Sequence, residues 1–385
     1  MVPTMALIAT VVACFQVGAA AQIGQVVADG IQAGAFPGAV VVVGTGDSVL
    51  LAKGYGHFTW SPDSPVPDPG NTLYDLASLT KVVATTPSVM RLVEEGRLDL
   101  ASPVVRYLPG FVGAGKEAVT VRRLLEHRSG LRAFLPLNEL TDQSADARKL
   151  VESEALSWSP GTRVVYSDLN AMLLGWIVES VSGSVLEEFA AAVVFQPLGM
   201  LQTFFRPSRA DRERIAPVGL WRGHVIAGEL HDQNAVRLGG VSGHAGLYST
   251  GMDLARYAQV YLNDGRDARG VQLFAAQTLR SFTQRGPGNR GLGWEVRDTT
   301  DEANSGRLLS ESAFGHTGYT GTSMWIDPVR DLFVIVLTNR VFAPRTGRSI
   351  SILKRVRGRV ADAAVALRSE QCSSDVLAAK TRRRC

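Results

Sequence analysis

Cysteine is scarce: Cys14, Cys372 and Cys385 are the only three in 385 residues, and all lie near the ends of the chain. They are too few and too terminal to form a disulfide framework. Also missing are a Cys/His cluster at metal-ligand spacing, a Walker-type phosphate loop, and a basic patch interleaved with aromatics. Structural metal sites, nucleoside-triphosphate chemistry and nucleic-acid binding are therefore not expected. No apolar run suits a stable transmembrane span, since the one at the start is short and interrupted by Gln16. There is no internal repeat, and nothing before residue 368 reads as a disordered linker. Neither sign of charge dominates. The net charge is +4, and the isoelectric point near 9.0 owes much to an arginine-rich stretch from Arg340 to Arg384. That stretch reads as a solvated helix face followed by a frayed tail.

What remains is an ordinary globular composition, 45% hydrophobic and 20% charged, long enough for a large core. The first 21 residues are apolar and uncharged and end in Ala19-Ala20-Ala21. They predict a secretory signal peptide, and hence export to the periplasm or the outside, although a positive n-region is lacking. Val11-Val12-Ala13-Cys14 also admits a lipoprotein reading, in which Cys14 would tether the protein to a membrane. A cytoplasmic protein with an N-terminal helix is the alternative.

Ile23, Val26, Val27 and Ile31 recur at helical spacing up to Gly34. Ala39–Val43 and Val49–Gly54 predict two strands joined at Gly44-Thr45-Gly46-Asp47. Helical signals fill the middle of the chain at Val121–Leu125, Ala145–Glu154, Ala171–Ser182 and Leu186–Phe195. Strand character returns at Gly291–Val296, Phe314–Ile326 and Leu332–Asn339, and a helix around Ile350 closes the chain. The expected fold is α/β (α+β), an antiparallel sheet flanked by helices. Residues 22–98 and 236–368 would supply the sheet domain, 99–235 an inserted helical region, and 369–385 a disordered basic tail.

The sequence Tyr74-Asp75-Leu76-Ala77-Ser78-Leu79-Thr80-Lys81 precedes an apolar-periodic run. On a helix, Ser78 and Lys81 share a face one turn apart. Serine is a weak nucleophile until a neighbouring base takes its proton, and a lysine of depressed pKa can be that base. A first-turn position would also aim free N–H groups at an oxyanion. A second Ser-x-x-Lys, Ser351-Ile352-Leu353-Lys354, lies in the closing helix with no partner motif and reads as surface. Further along, Tyr166-Ser167-Asp168-Leu169-Asn170 enters a helix. Tyr166 could shuttle a proton, and Asp168 or Asn170 could hydrogen-bond the lysine and the substrate. Gly315-His316-Thr317-Gly318-Tyr319 offers glycines at a strand where substrate could approach the backbone. The Tyr319 N–H could join that of Ser78 as an oxyanion donor, contributing roughly 3 kcal/mol to lowering the barrier. In the glycine-rich segment from His231 to Gly246, Asp232 and Asn234 are candidate substrate contacts, with a bracing turn network as the alternative. His127, at a helix end before Ser129-Gly130, reads as a cap of the last carbonyls.

Taken in order, Ser78-x-x-Lys81, Tyr166-Ser167-Asp168 and His316-Thr317-Gly318 resemble the three signature elements of the serine β-lactamases, penicillin-binding D,D-peptidases and their esterase relatives. The supporting stretches VVRYLPG (104–110), LLEHRSGL (124–131), QPLGM (196–200), GLGWE (291–295) and LTNR (337–340) are similar to the family's as well. The resemblance implies a β-lactamase/transpeptidase-like fold and Ser78 as the acylated nucleophile. It implies Lys81 as general base and Tyr166 as relay to the leaving group. His316 would stand where the family mostly has lysine, binding a substrate carboxylate or supporting Tyr166. Two departures matter: the second element ends in Asp168 rather than asparagine, and the third begins with His316. They favour an acyl hydrolase of the carboxylesterase or D,D-carboxypeptidase type over an efficient β-lactamase. A non-catalytic relative that binds cell-wall fragments or a protein is a further alternative. The expected partner is a small-molecule or peptide substrate, with no metal or organic cofactor, and the expected state is a monomer. Asp168 next to Lys81 also predicts a lysine biased toward its charged form.

Overall fold

The computed structural model describes residues 18–221, 224–301, 304–342 and 347–377. Most of the predicted leader, Cys14 and Cys385 lie outside the described residues. In chain order the main elements are α1 (Ala19–Gln32), β1 (Gly38–Gly44), β2 (Val49–Gly56), α2 (Thr86–Glu94), α3 (Asp168–Ser182), α4 (Gly251–Leu262), β3 (Glu295–Val296), β4 (Phe314–Thr317), β5 (Ser323–Asp327), β6 (Leu332–Thr338) and α5 (Gly347–Leu377). The six strands form one antiparallel sheet in the order β2-β1-β6-β5-β4-β3. Both ends of the chain therefore build the sheet, as its two groups of strand signals imply.

The central strands β1 and β6 are apolar at nearly every position because helices cover both sheet faces. Val40 and Val42 pack with Phe333, Ile335 and Leu337 on the α4 side. Ala39, Val41 and Val43 pack with Val334 and Val336 against α1 and α5 on the other. Alternation of side chains along a strand explains the division. The helical stretch belongs to the larger core, where Leu124, Leu169, Leu173 and Ile177 are all buried. It also carries short strands: Phe204–Phe205 pairs with Leu247–Ser249, and Gly219–Trp221 pairs with His224–Ile226.

Three boundaries differ from the sequence reading. The continuous strand expected over Phe314–Ile326 is a hairpin, because Gly318 N–H closes onto Thr322 O at 2.7 Å and Gly321 takes φ +118°. Helix α5 runs to Leu377, into the stretch expected to be a disordered tail. Ala19–Ala21, the expected cleavage site, form the first turn of α1, where the Ala19 N–H donates to Glu370 Oε1 at 3.0 Å.

Candidate active site

Ser78 is held by backbone from two directions. Tyr74–Asp75 pairs with Tyr248–Ser249, and Leu76 N–H donates to Leu247 O at 2.9 Å. The chain then turns at Ala77, whose φ of +47° is unusual for a residue with a Cβ, so surrounding structure must hold it there. Asp75 Oδ1 holds it by accepting the Ala77 N–H at 2.9 Å, while Asp75 Oδ2 accepts His231 N–H at 3.0 Å.

The serine does not open an α-helix. It sits in a 3₁₀ turn (Ala77–Leu79), followed by a π-helical turn (Lys81–Thr85) and only then by α2. Pro87 near the start of α2 gives the reason. Without an N–H it cannot donate to the Val83 carbonyl, so α-helical register cannot run unbroken through this stretch. Ser78 and Lys81 still meet: Lys81 Nζ donates to Ser78 Oγ at 2.9 Å and to His244 O at 3.0 Å.

Asp168, at the start of α3, lies 2.8 Å from Lys81 Nζ through Oδ1. Burial is the largest single influence and pushes the lysine pKa down, but the charge and hydrogen bonding of Asp168 together with those of Tyr166 outweigh it, and the net direction is up. Lys81 is therefore an ammonium in the resting site. Its Nζ also stands 5.1 Å from the Tyr166 ring centroid. The Tyr166 hydroxyl is buried with no partner at hydrogen-bond geometry among the described residues.

Two imidazoles flank that ring. His127 stacks on it at 4.7 Å between centroids and His316 at 5.8 Å. Burial, aided by the Arg290 charge, lowers both imidazole pKa values well below the usual value, so both are neutral at physiological pH. His316 Nδ1 lies 2.9 Å from the Thr317 carbonyl, which fixes the proton on Nδ1. Nε2 is left as a buried acceptor without a partner. The contact of His316 with the Tyr166 ring fits the expected support of Tyr166. His127 does not cap a helix with its side chain as expected. Its Nδ1 accepts from Ser167 N–H at 3.2 Å and faces Asn170 Nδ2 at 3.2 Å, so it braces the Tyr166 segment.

A cleft of about 710 Å³ collects Ser78, Tyr166, Asp168, His316, Thr317 and Gly318. Tyr319, Asp232 and Asn234 also line it, as does Arg290. Asn170 does not, which corrects its expected contact with lysine and substrate: it is fully buried and committed to Ser129 Oγ and His127. Asn234 is 1% exposed, its Oδ1 accepting from Leu137 N–H and its Nδ2 donating to Leu135 O. That is the bracing alternative rather than a free substrate contact. Asp232 accepts Ala235 N–H at 2.9 Å and faces His244 Nε2 at 3.1 Å, leaving its carboxylate partly open to the cleft. The second Ser-x-x-Lys is part of the wall too, through Leu353 and Lys354 of α5.

Arg290 was not singled out by the sequence. Its guanidinium carbon lies 5.3 Å from the Tyr166 ring centroid, and its Nη1 is buried without a partner among the described residues. The only signal available was its place immediately before the GLGWE stretch.

The family model described as Beta-lactamase matches residues 23–357. The chain belongs to the beta-lactamase family. A relative from Salmonella schwarzengrund (strain CVM19633), provisionally named D-alanyl-D-alanine carboxypeptidase, is 32% identical over 346 residues, which cover 80% of each chain. Among solved structures, a penicillin-binding protein homologue from Caulobacter crescentus superposes with a TM-score of 0.72 at 22% identity, covering 90% of this chain and 97% of its own. EstCE1, a hydrolase with promiscuous acyltransferase activity, gives 0.70 at 23% identity, covering 88% and 98%. Like other members of its family, the protein is a serine hydrolase.

Proposed function

We propose that the protein cleaves an ester or amide through an acyl-enzyme on Ser78, with carboxylate-terminated D-alanyl peptides as its natural substrate class and small esters as accessible ones. One observation carries the reading: Lys81 Nζ rests on Ser78 Oγ at 2.9 Å inside the cleft that also holds Tyr166 and His316. As an ammonium, Lys81 has no lone pair to offer and acts by stabilising the serine oxygen as it becomes anionic. To serve as base it must first lose its own proton, and Asp168 Oδ1 is 2.8 Å away. The Tyr166 hydroxyl, buried beside Lys81, is the relay. It takes the serine proton as it passes its own to the leaving group, and His316 Nε2 is an acceptor that can orient it. Water then repeats the sequence in reverse on the acyl-enzyme. The backbone N–H groups of Ser78 and Tyr319 receive the oxyanion.

Arg290 supports the peptide reading, because its guanidinium lines the cleft and brings a positive charge toward a substrate carboxylate. The relative's name and the apolar, uncharged leader support export to the cell-wall compartment. Labelling by a fluorophosphonate or penicillin probe tests the nucleophile: Ser78→Ala abolishes labelling, and an unchanged label on the variant overturns the assignment. Turnover of a D-alanyl-D-alanine peptide, a short-chain nitrophenyl ester and a chromogenic cephalosporin then sets the substrate class. Fast cephalosporin hydrolysis would make the protein a β-lactamase instead.

A further inference from the structure

The hairpin turn between β4 and β5 carries Tyr319, and its carbonyls are held by a residue of the last helix that also lines the cleft. Arg357 of α5 is buried, and its Nη2 donates to Gly318 O at 3.2 Å and to Thr322 O at 2.7 Å, while its Nη1 donates to Asn304 Oδ1 at 3.2 Å. The Gly318 carbonyl and the Tyr319 N–H belong to one planar peptide unit and point in opposite directions. A guanidinium on that carbonyl therefore sets where the Tyr319 N–H points, and its charge polarises the unit so that the N–H becomes a stronger donor.

The turn is fastened to the nucleophile from the other side. Thr320 Oγ1 donates to Asp75 O at 2.7 Å and Thr322 Oγ1 to Leu76 O at 3.0 Å. Neither Ser78 N–H nor Tyr319 N–H donates to a described backbone group. Burial, reinforced by the neighbouring Arg340 charge, pushes the Arg357 guanidinium down to about 9, so it remains a cation at neutral pH.

We propose that Arg357 is a positioning residue for catalysis, which aims and strengthens the Tyr319 N–H as an oxyanion donor through the Gly318 carbonyl. The proposal rests on the acyl-enzyme reading of Ser78. Removing the guanidinium leaves the turn closed, because Gly318 O keeps Gly321 N–H at 3.1 Å and Thr322 O keeps Gly318 N–H at 2.7 Å. Arg357→Met is therefore expected to fold.

The test uses a nitrophenyl ester and its thiono analogue, whose carbonyl sulfur fits an oxyanion hole poorly. Loss of a whole oxyanion donor costs about 100- to 1,000-fold in kcat, so loss of its alignment is expected to cost about 10- to 100-fold. Arg357→Met is expected to lower kcat on the oxygen ester by that amount with KM within about twofold, and to narrow the oxygen-to-thiono rate ratio. Arg357→Lys, which keeps charge but loses the fork, is expected to fall between. Arg355→Met, an exposed charge change on the same helix, serves as the control and is expected to behave as the unmodified protein. A thiono ratio unchanged in Arg357→Met overturns the proposal, as does a loss confined to KM. Failure of Ser78 to take up the acyl probe overturns instead the underlying reading, so the two failures are distinguishable.

Discussion

Lys81 and Asp168 form an ion pair at 2.8 Å, with the lysine side chain 4% exposed and the carboxylate 20%. Asp168 places a charge that holds the amine protonated. Asp168→Asn removes that pull and leaves burial, the largest influence on Lys81, opposed by Tyr166 alone, so its pKa falls. The limb of the pH–rate profile governed by Lys81 is expected to move to lower pH by about one unit or more. The profile of kcat/KM with a nitrophenyl ester reads this, and a limb that stays in place removes Asp168 from control of the lysine.

Tyr166→Phe separates chemistry from folding. The hydroxyl has no partner at full hydrogen-bond geometry among the described residues and only the already ion-paired Lys81 beside it, so Tm is expected to change little. Acylation is expected to slow by about two orders of magnitude or more, the usual cost of a missing proton-transfer partner. Stopped-flow acylation and a thermal melt of the same preparation give both numbers. Full activity would take Tyr166 out of the mechanism.

Asp75 predicts an acid limb. Burial raises its carboxyl to about 6, against the opposing hydrogen bonds from His231 N–H and Ala77 N–H. Ionised, it accepts both; protonated, it loses part of its hold on the Ala77 turn beneath the nucleophile. Activity is expected to fall as the pH drops through about 6. Stability runs the other way. The folded value lies above the unfolded one near 3.8, so the fold binds this proton more tightly than the unfolded chain does. This contribution is complete below about 4 and lost as the pH rises through about 6. Asp75→Asn is expected to erase both trends, which kcat/KM and Tm measured from pH 4.5 to 8 would reveal.

Asn234→Ala tests bracing against substrate contact. It strips the partners from Leu137 N–H and Leu135 O in a site 1% exposed. The expected cost is about 2 kcal/mol of stability, with KM for a small ester within about twofold. A large rise in KM at unchanged stability would return Asn234 to the substrate.

Arg290→Ala distinguishes peptide from ester. With its cleft-lining charge removed, KM for a D-alanyl-D-alanine peptide is expected to rise about tenfold or more, while the uncharged ester is unaffected. Equal effects on both would point to Arg290 acting through Tyr166 alone.

Much of this site could be read from letters, because the motifs are local. Ser78, Lys81, Tyr166, Asp168 and His316 lie in three short segments, and a single cleft or ion pair holds them together. Sequence reading was weaker wherever the outcome depended on what lies across the fold. Asn170 and Asn234 sit in stretches that look functional, yet packing turns their amides toward Ser129 and the 135–137 backbone. The reverse error hid His127, Arg290 and Arg357. Their neighbours arrive from elements tens to hundreds of residues away, and no periodicity announces a side chain aimed at a distant carbonyl. The hairpin at Gly318–Thr322 was missed for a related reason: apolar runs on both sides of a tight turn read as one strand.

Gly318 sets a final constraint. A Cβ there would meet Thr322 Oγ1 at 2.1 Å and Leu76 O at 2.4 Å, so any larger residue would wedge the turn away from the serine. Phe134, Tyr319 and Ile350, at 50%, 62% and 38% exposure, border the same cleft with room to change. Inherited variation that keeps the enzyme alive is thus steered to the mouth. New substrate preferences can arise there by exchanging rim side chains, while the interior changes scarcely at all.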